Sequence, residues 1–363
     1  MRTVNIDLLR AANLRCFEQV EFEPGPAVNW LIGPNGAGKT TLLEAAYLLS
    51  HGRSFRGGGR SAPRRQGAAD FVIHVEIARE GRPRSRLGLA RVDEHWLARR
   101  DGEDLASLVP LFEACPVVYF GPESQGLVLG PAEERRGFLD WAVFHMEHAS
   151  LGAWPMWRRA LRQRNALLRQ GAADADFEPW EHDLGRLALQ IHRARARCLD
   201  GLRPFLFAES ALLVPELGVP SVDYRPGWNL DAGLTAQLAL ERPRDRERGF
   251  TRHGAHRADW SLGYAGIAQR DHLSRGQAKA TALVCTLALT LWLKDQIGEY
   301  PLLCLDDLAA ELDARHAALV LGWLRGRAIQ SWLTRTDDRV DARDGACMFH
   351  VEHGRCARID HQP

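Results

Sequence analysis

Short apolar runs bounded by turn residues fill the first third of the chain and predict strands. Alternating apolar and polar positions in the later runs are typical of antiparallel pairs. A helical pattern over 40–50 begins directly after a glycine-rich turn that follows the third run. The predicted strands lie at 4–9, 20–22, 27–32, 71–77, within 84–96 and at 117–120.

The middle of the chain changes to a helical period, from about 132 to 208. Apolar residues recur there at spacings of three and four, with a polar loop at 171–176 that predicts a helical hairpin. The stripe consists of Trp180, Leu184, Leu187, Ile191, Ala194, Cys198, Leu202 and Phe205. A core-packed helical subdomain and a partner-binding coiled coil both fit this pattern, and the short length of the stripe favours the subdomain.

The last third returns to strands and loops over 221–265, where the charged run 241–248 is interpreted as a solvated surface. A long helix then follows Ser274, and further elements are a strand at 302–305, a helix at 315–327 and closing strands near Trp332 and Met348. This order predicts an α/β nucleotide-binding core with a mixed sheet, built from both chain ends around an inserted helical lobe. The predicted divisions are 1–130, 131–250 and 251–363.

Composition narrows the function classes. The 363 residues carry 47 basic and 46 acidic side chains, so attraction to nucleic acid has to come from a local basic surface. The longest nearly apolar run, 281–293, is too short to span a bilayer, and the N-terminus lacks the apolar core of a signal peptide. Seven scattered cysteines without a C-x-x-C pair favour neither disulfides nor zinc. We therefore expect a soluble protein of a reducing compartment, that is, a cytoplasmic one.

The strongest motif fits G-x-x-x-x-G-K-[ST] between an apolar strand and a helix. In this motif backbone N–H groups and the helix N-terminus bind the phosphates of ATP, lysine contacts the β- and γ-phosphates, and the first hydroxyl ligates Mg²⁺. A purely structural glycine turn is the alternative, and the flanking elements favour the phosphate loop. The motif residues are Gly33, Pro34, Asn35, Gly36, Ala37, Gly38, Lys39, Thr40 and Thr41.

A second motif is the apolar strand 302–305 that ends in Asp306 and Asp307. Carboxylates at the carboxyl end of a sheet strand lie where open α/β folds bind nucleotide. Asp306 is expected to act on Mg²⁺ through water, and Asp307 to orient or activate the attacking water. The expected catalytic residues are therefore Asp307 and Lys39. Taken alone, such a run is also typical of a simple strand cap.

A third motif, Ser274, Arg275, Gly276 and Gln277, opens the helix that runs to Lys294. Serine is a natural N-cap, and a helix N-terminus attracts anions. A capped helix start explains this run in isolation. The order of phosphate loop, serine–glycine helix start and acidic strand is nevertheless peculiar to one ATPase class.

Together these residues make the sequence resemble the ABC-class ATPases of the SMC type, and more closely the RecF family. The stretches that carry the resemblance are GPNGAGKTTLLEA, HGRSFR, GPAEERRGFLDWAVFH, LRQRNALLR, HGAHRADW, LSRGQAK and LDDLAAELD. The resemblance implies an SMC-type head that dimerises around two ATP molecules. In such a dimer Ser274, Arg275, Gly276 and Gln277 meet the nucleotide held by the partner subunit's Lys39, and 310–313 joins the two sites.

The resemblance also implies partners and a process. Proteins of this family bind duplex or gapped DNA in an ATP-dependent way, act with RecO and RecR, and help to load RecA in recombinational repair. Their ATPase activity is expected to be weak and DNA-stimulated. A loop at 51–67 without acidic residues suits phosphate contact, although a solvated surface explains it equally well. Its arginines are Arg53, Arg56, Arg60, Arg64 and Arg65.

Some assignments stay open at the level of sequence. Gln125 is a candidate for the glutamine that contacts Mg²⁺ in this class. Either Thr334 or Thr336 is a candidate for the γ-phosphate sensor. Arg15 is a candidate for the basic residue that the family carries near the nucleotide. The alternative function is an ABC-type ATPase subunit of another DNA-maintenance or transport complex. Transporter subunits usually carry a histidine after the strand that follows the acidic one, and none lies between His316 and His350.

Overall fold

The computed structural model describes residues 3–56, 63–93, 95–147, 152–267, 272–336 and 346–359. Two compact units result: Met1–Gln125 with Arg275–Pro363, called unit 1, and Gly126–Ser274, called unit 2. The insertion therefore extends beyond the predicted boundary at residue 250. The reason is a strand pairing in unit 2 between Pro220–Arg225 and Asp259–Tyr264, which keeps 251–264 with the lobe.

The elements are numbered along the chain. The strands are β1 (Val4–Leu14), β2 (Phe17–Phe22), β3 (Val28–Ile32), β4 (Asp70–Arg79), β5 (Arg82–Val92), β6 (His95–Arg100), β7 (Glu103–Leu105), β8 (Val117–Phe120), β9 (Pro220–Arg225), β10 (Asp259–Tyr264), β11 (Leu302–Leu305), β12 (Ser331–Arg335), β13 (Cys347–Glu352) and β14 (Arg355–Ile359). The helices are α1 (Lys39–His51), α2 (Val109–Ala114), α3 (Gly126–Leu129), α4 (Ala132–Met146), α5 (Ala153–Gln170), α6 (Asp174–Leu213), α7 (Leu234–Arg248), α8 (Arg275–Ile297), α9 (Leu308–Glu311) and α10 (Ala314–Arg325).

The central sheet of unit 1 has the order β14-β13-β3-β12-β11-β8. All its neighbouring strands pair in parallel except β13 and β14, so the sheet is mixed, as predicted. Strands from the two chain ends alternate, since β3 lies between β13 and β12. Because β3, β12 and β11 run in parallel, their carboxyl ends open on the same edge of the sheet.

A second sheet of unit 1 is antiparallel, with the order β2-β1-β4-β5-β6-β7. Its inward residues, such as Leu9 and Phe71, share one apolar core with Leu42 of α1 and Trp332 of the central sheet. Helix α1 is thus covered on both sides, which fits its nearly continuous burial. This packing fixes the start of α1, where the phosphate-loop motif lies.

Unit 2 contains the predicted helical hairpin, formed by α5 and α6. The prediction of strands and loops throughout 221–265 was wrong, because Leu234–Arg248 forms a helix. Its buried positions are Leu234, Leu238, Arg242 and Asp245, at the spacing of a helix face. Two of these four are charged, so the apolar stripe that signals a helix was interrupted.

Helix α8 is long and apolar enough, by length and composition alone, to cross a membrane. In the structure 78% of that apolar window is buried inside the protein, as in the core helix of a globular fold. The buried face extends from the run 281–293 toward Arg275 through two alanines, Ala278 and Ala280. We interpret α8 as the core helix of unit 1.

Candidate functional site

The phosphate-loop motif lies in the turn between β3 and α1, as predicted. Two of its glycines are required by the backbone and its neighbours. A Cβ atom on Gly33 would lie 2.1 Å from the carbonyl oxygen of Val351, and one on Gly38 would lie 2.5 Å from Cζ of Phe17. Gly38 also has a φ of +114°, which side-chain-bearing residues rarely adopt. The sequence therefore folds this loop tightly against the sheet.

Lys39 is held at the inner wall of the loop. The residue is 7% exposed, and Nζ donates to the carbonyl oxygens of Gly33 at 2.7 Å and Pro34 at 2.9 Å. Burial lowers the pKa of the Lys39 ammonium, while the nearby charges of Asp307 and Asp306 oppose that change. The loop carbonyls thus fix a compact cation above the start of α1.

Asp306 is the centre of a hydrogen-bonded cluster at the end of β11. Its buried carboxylate accepts on Oδ1 from Thr40 Oγ1 at 2.9 Å and Thr334 Oγ1 at 2.6 Å, which joins the ends of three elements. Oδ2 faces the hydroxyl of Tyr119 at 3.4 Å. Burial raises the pKa of the Tyr119 phenol, with further help from Asp306, so this hydroxyl keeps its proton.

Asp307, the next residue along the chain, has a left-handed backbone with φ of +51°. Its N–H donates to Thr334 Oγ1 at 2.7 Å, so Thr334 bridges the two acids. Burial raises the pKa of the Asp307 carboxyl, and the like charge of Asp306 adds to the effect. A carboxylate whose proton affinity is raised is better suited to accept a proton than an ordinary surface aspartate.

These groups line one cavity of about 280 Å³. The predicted residues Lys39, Thr40, Asp306 and Asp307 meet there, although 266 residues separate Thr40 from Asp306. The described residues that line it are Arg15, Cys16, Asn35, Gly36, Gly38, Lys39, Thr40, Thr41, Arg56, Pro122, Asp306, Asp307 and Thr334.

Two of the candidates for contact with Mg²⁺ or the γ-phosphate, Gln125 and Thr336, are not among the residues that line the cavity. Gln125 ends a short 3₁₀ turn over Pro122–Gln125, and it is Pro122 at the start of the turn that faces the cavity. Thr336 lies exposed just beyond the end of β12. Thr334 is buried on β12 and forms hydrogen bonds with both Asp306 and Asp307. Of the two threonines proposed as sensor, Thr334 is therefore the one in position.

The sequence reading missed Glu44, which is fully buried on α1. Arg15 donates to both of its carboxylate oxygens, at 3.0 Å and 2.7 Å, and Arg56 approaches it at 3.8 Å. Glu44 therefore holds two arginines of the cavity wall. The available signal was an acid at a position where the helical pattern of 40–50 is otherwise apolar.

The arginines of the loop at 51–67 have different environments. Arg53 is exposed, Arg64 donates to the carbonyl oxygen of Ala69 at 2.7 Å, and Arg65 pairs with Glu18 at 3.4 Å. Arg56 lines the cavity. Arg60 lies outside the described residues. Only part of this set therefore extends into solvent, and only Arg56 reaches the cavity.

The serine–glycine motif is at the start of α8, with Arg275 as the first helical residue. Ser274, Arg275 and Gly276 are exposed, and Gln277 is half-buried. One turn on, Lys279 pairs with Glu311 of α9 at 2.8 Å. Within 310–313, Asp313 caps α10 by accepting from the N–H of His316 at 2.8 Å. Asp313 therefore has a structural role as the N-cap of α10. Ala310, in the same segment, is exposed.

The donor set of the cavity fits a magnesium ion that arrives with phosphates. Thr40 donates its only hydroxyl hydrogen to Asp306, so the lone pairs of its oxygen are left for a cation. No cluster of three or more His, Cys, Asp or Glu side chains suited to a metal occurs in the described part of the chain. A cation here would take most ligands from phosphate and water, which is the usual coordination of Mg²⁺.

Comparisons with known proteins agree with this geometry. A family model described as an AAA domain matches residues 9–96. The chain is 42% identical to the DNA replication and repair protein RecF of Stenotrophomonas maltophilia (strain R551-3), over 98% of this chain and 100% of that protein. A structure of the recombination mediator protein RecF-ATP in the RecFOR pathway matches with a TM-score of 0.87 at 23% identity, covering 99% of this chain and 98% of that one.

A more distant likeness is to the Smc head domain of Pyrococcus furiosus, with a TM-score of 0.56 at 13% identity, over 99% of this chain and 96% of that one. Likenesses at such low identity establish architecture alone. They confirm the predicted α/β fold of an SMC-type ATPase head with a mixed sheet and a helical lobe.

Proposed function

The chain belongs to the RecF family of DNA replication and repair proteins, and on that premise we propose that it is an ATP-dependent DNA-binding protein whose two copies close around shared ATP. The observation that carries the proposal is the single cavity in which Lys39, Thr40, Asp306 and Asp307 meet. Such a cavity has the charge and the donors that a magnesium–triphosphate needs.

Within one chain, the loop 33–41 binds the phosphates through its backbone and Lys39. Thr40 would hold Mg²⁺ directly and Asp306 would act on it through water, while the Asp306 carboxylate accepts from the Thr40 hydroxyl. When bound, ATP with Mg²⁺ supplies the scissile phosphoanhydride and the polarising cation. Asp307 orients the attacking water and accepts its proton at the carboxylate, which its raised pKa favours. Arg15 and Arg56, held by Glu44, border the same cavity.

Each site is completed by the second copy. The exposed run of Ser274, Arg275, Gly276 and Gln277 contacts the γ-phosphate held by the partner subunit's Lys39, so that ATP stabilises the dimer. Segment 310–313 begins three positions after Asp307 and connects the two sites. The pair formed by Lys279 and Glu311 supports this role, because it joins the signature helix to the segment after the catalytic acid.

The dimer binds duplex DNA, and hydrolysis releases it. The exposed Arg53, with Arg64 and Arg65, contributes contacts to the phosphate backbone. The weak ATPase is stimulated by DNA. In the cytoplasm the protein acts with RecO and RecR at gapped DNA and so assists RecA loading. The support for these partners is family membership together with the RecFOR pathway named for the structurally similar RecF protein.

The substitution Asp307→Asn tests the link between hydrolysis and release. Asparagine tolerates the left-handed backbone of this position, so the fold is preserved. We expect ATP hydrolysis to fall by about 100-fold, as for loss of a general base. The lifetime of the ATP-bound protein on duplex DNA should rise with it. The rate of hydrolysis is measured by phosphate release, and the lifetime on DNA is measured by dissociation of the protein from a surface-immobilised duplex.

The matched control is Asp295→Asn, the same chemical change at an exposed position of α8 outside the cavity. It should leave both rates unchanged. Release of the Asp307→Asn protein as fast as the unsubstituted protein, with ATP demonstrably intact, would contradict the proposed function.

A further inference from the structure

Two stretches that carried the family resemblance have no part in the ATP cavity and lie side by side in unit 2. Asn165 Oδ1 on α5 accepts from the N–H of Thr251 at 2.9 Å and from its hydroxyl at 2.7 Å. Near one end of α5, a Cβ on Gly254 would lie 2.7 Å from Cη2 of Trp157. Near the other, Arg169 contacts Gly249. The loop 249–256 therefore runs antiparallel along α5.

Helix α5 contains five arginines and no acidic residue in its 18 positions. Of these, Arg164 is fully buried, while Arg158 and Arg162 are exposed. Within the ranges that the structure describes, neither of these exposed guanidinium groups has an ion pair or a hydrogen bond. They therefore present uncompensated positive charge to solvent, which is uncommon for a surface otherwise rich in ion pairs.

The adjacent chain adds to this charge. Arg248 and Arg257, at the two ends of the loop, are both exposed, and Arg257 lies 5.6 Å from the centroid of the Phe250 ring. Two carboxylates in this part of the lobe are already engaged, since Arg252 pairs with both Glu241 and Asp245. We call the resulting surface the α5 arginine face. It consists of Arg158, Arg162, Arg169, Arg248 and Arg257.

The α5 residues of this face lie on one side of a rigid helix. Arg162 lies four positions after Arg158 and Arg169 lies eleven positions after it, so the three share one side of α5. Along the helix axis these spacings are about 6 Å and about 16 Å. Trp157, Ala160 and Leu168 anchor the opposite side in the lobe. A row of guanidinium groups on one side of a helix suits a row of phosphates, and each planar fork can bind phosphate through paired hydrogen bonds.

We infer that the α5 arginine face is a docking surface for the phosphate backbone of duplex DNA. The inference rests on the proposed function and assigns DNA contact to the helical lobe as well as to the loop of unit 1. Because arginine contacts to phosphate carry no sequence information, binding through this face is independent of base sequence. An acidic protein is the competing partner, and the test below separates the two.

The test is the double substitution Arg158→Gln with Arg162→Gln, which removes two charges and keeps good helix formers. Binding of the full chain with ATP to duplexes of two unrelated sequences is measured by fluorescence anisotropy between roughly 50 and 200 mM salt. We expect about tenfold weaker binding to both duplexes. The slope of log affinity against log salt should flatten by about 2.

The matched control is Arg186→Gln with Arg193→Gln, two exposed arginines on the neighbouring helix α6. The control should bind nearly as tightly as the unsubstituted protein, and all three proteins should hydrolyse ATP at the same basal rate without DNA.

Three outcomes would overturn the inference: equal affinity of the test variant and the unsubstituted protein, an equal loss in the control, or unchanged DNA binding with lost binding to an acidic protein partner. Failure of the unsubstituted protein to bind duplex with ATP would instead contradict the proposed function, so the two failures are distinguishable.

Discussion

Replacing Lys39 by arginine is expected to lower ATP turnover by about 100-fold, the usual cost of one preorganised electrostatic contact at a reacting phosphate. Lys39 Nζ fits between the carbonyl oxygens of Gly33 and Pro34, and its stem is buried. A guanidinium group is larger and planar, so it cannot take the place of a compact ammonium there. Steady-state hydrolysis and nucleotide affinity measure the effect.

The control for this experiment is Lys294→Arg, the same exchange near the end of α8 and outside the cavity. It should retain full activity. Hydrolysis by the Lys39→Arg protein at the unsubstituted rate would mean that the loop 33–41 does not hold the reacting phosphates.

The second large effect concerns stability. Replacing Arg164 by methionine should reduce the free energy of unfolding of unit 2 by about 3 kcal/mol, because each of its two buried carboxylate partners loses one of the two arginines that compensate its charge. Arg164 is fully buried and pairs with Glu181 at 3.1 Å and Asp245 at 2.8 Å. It also donates to the Thr251 hydroxyl at 2.8 Å and to the carbonyl oxygen of Leu238 at 3.1 Å.

Urea-induced unfolding followed by circular dichroism measures this loss. Arg162→Met, two positions earlier on the exposed side of α5, is the control and should change stability by less than about 0.5 kcal/mol. Equal unfolding free energies for the two variants would show that the Arg164 cluster is not what joins α5, α6 and α7.

The same cluster explains why some family-like stretches are not part of the site. Arg164 in 161–169 is a structural residue. So is Arg135 in 130–145, which donates to both oxygens of Asp259 in 253–260 at 2.6 Å and 3.1 Å. Buried ion pairs leave a strong sequence signature because each partner requires the other. From the sequence alone, such a signature cannot be told from one imposed by a ligand.

Several residues that line the candidate cavity could be predicted from the sequence because they lie in short motifs of characteristic spacing. Glycines, lysine and threonine at fixed spacing determine the loop, and a parallel strand carries Asp306 to the same edge of the sheet. Glu44 and Tyr119 were missed because their roles depend on partners far away in sequence. Glu44 meets Arg15 across 29 positions, and Tyr119 reaches Asp306 across 187.

Helix α7 shows the same limit for the fold. Its inner face uses Arg242 and Asp245 where an ordinary helix would use apolar residues. Arg242 donates to Glu181 at 2.6 Å, and Asp245 accepts from Arg164, so burial is compensated by partners on other helices. A pattern of hydrophobicity cannot register a core built from ion pairs.

The most direct measurement of the central claim is the mass of the protein in solution by light scattering, with and without ATP, for the unsubstituted chain and for Ser274→Arg. Ser274 is exposed at the start of α8, so a bulky cation there should leave nucleotide binding by a single chain intact. We predict that ATP doubles the mass of the unsubstituted protein and leaves the variant, with normal ATP affinity, as a single chain. Two copies that assemble equally well with and without this substitution, or a single chain at saturating ATP in both proteins, would contradict closure around shared nucleotide.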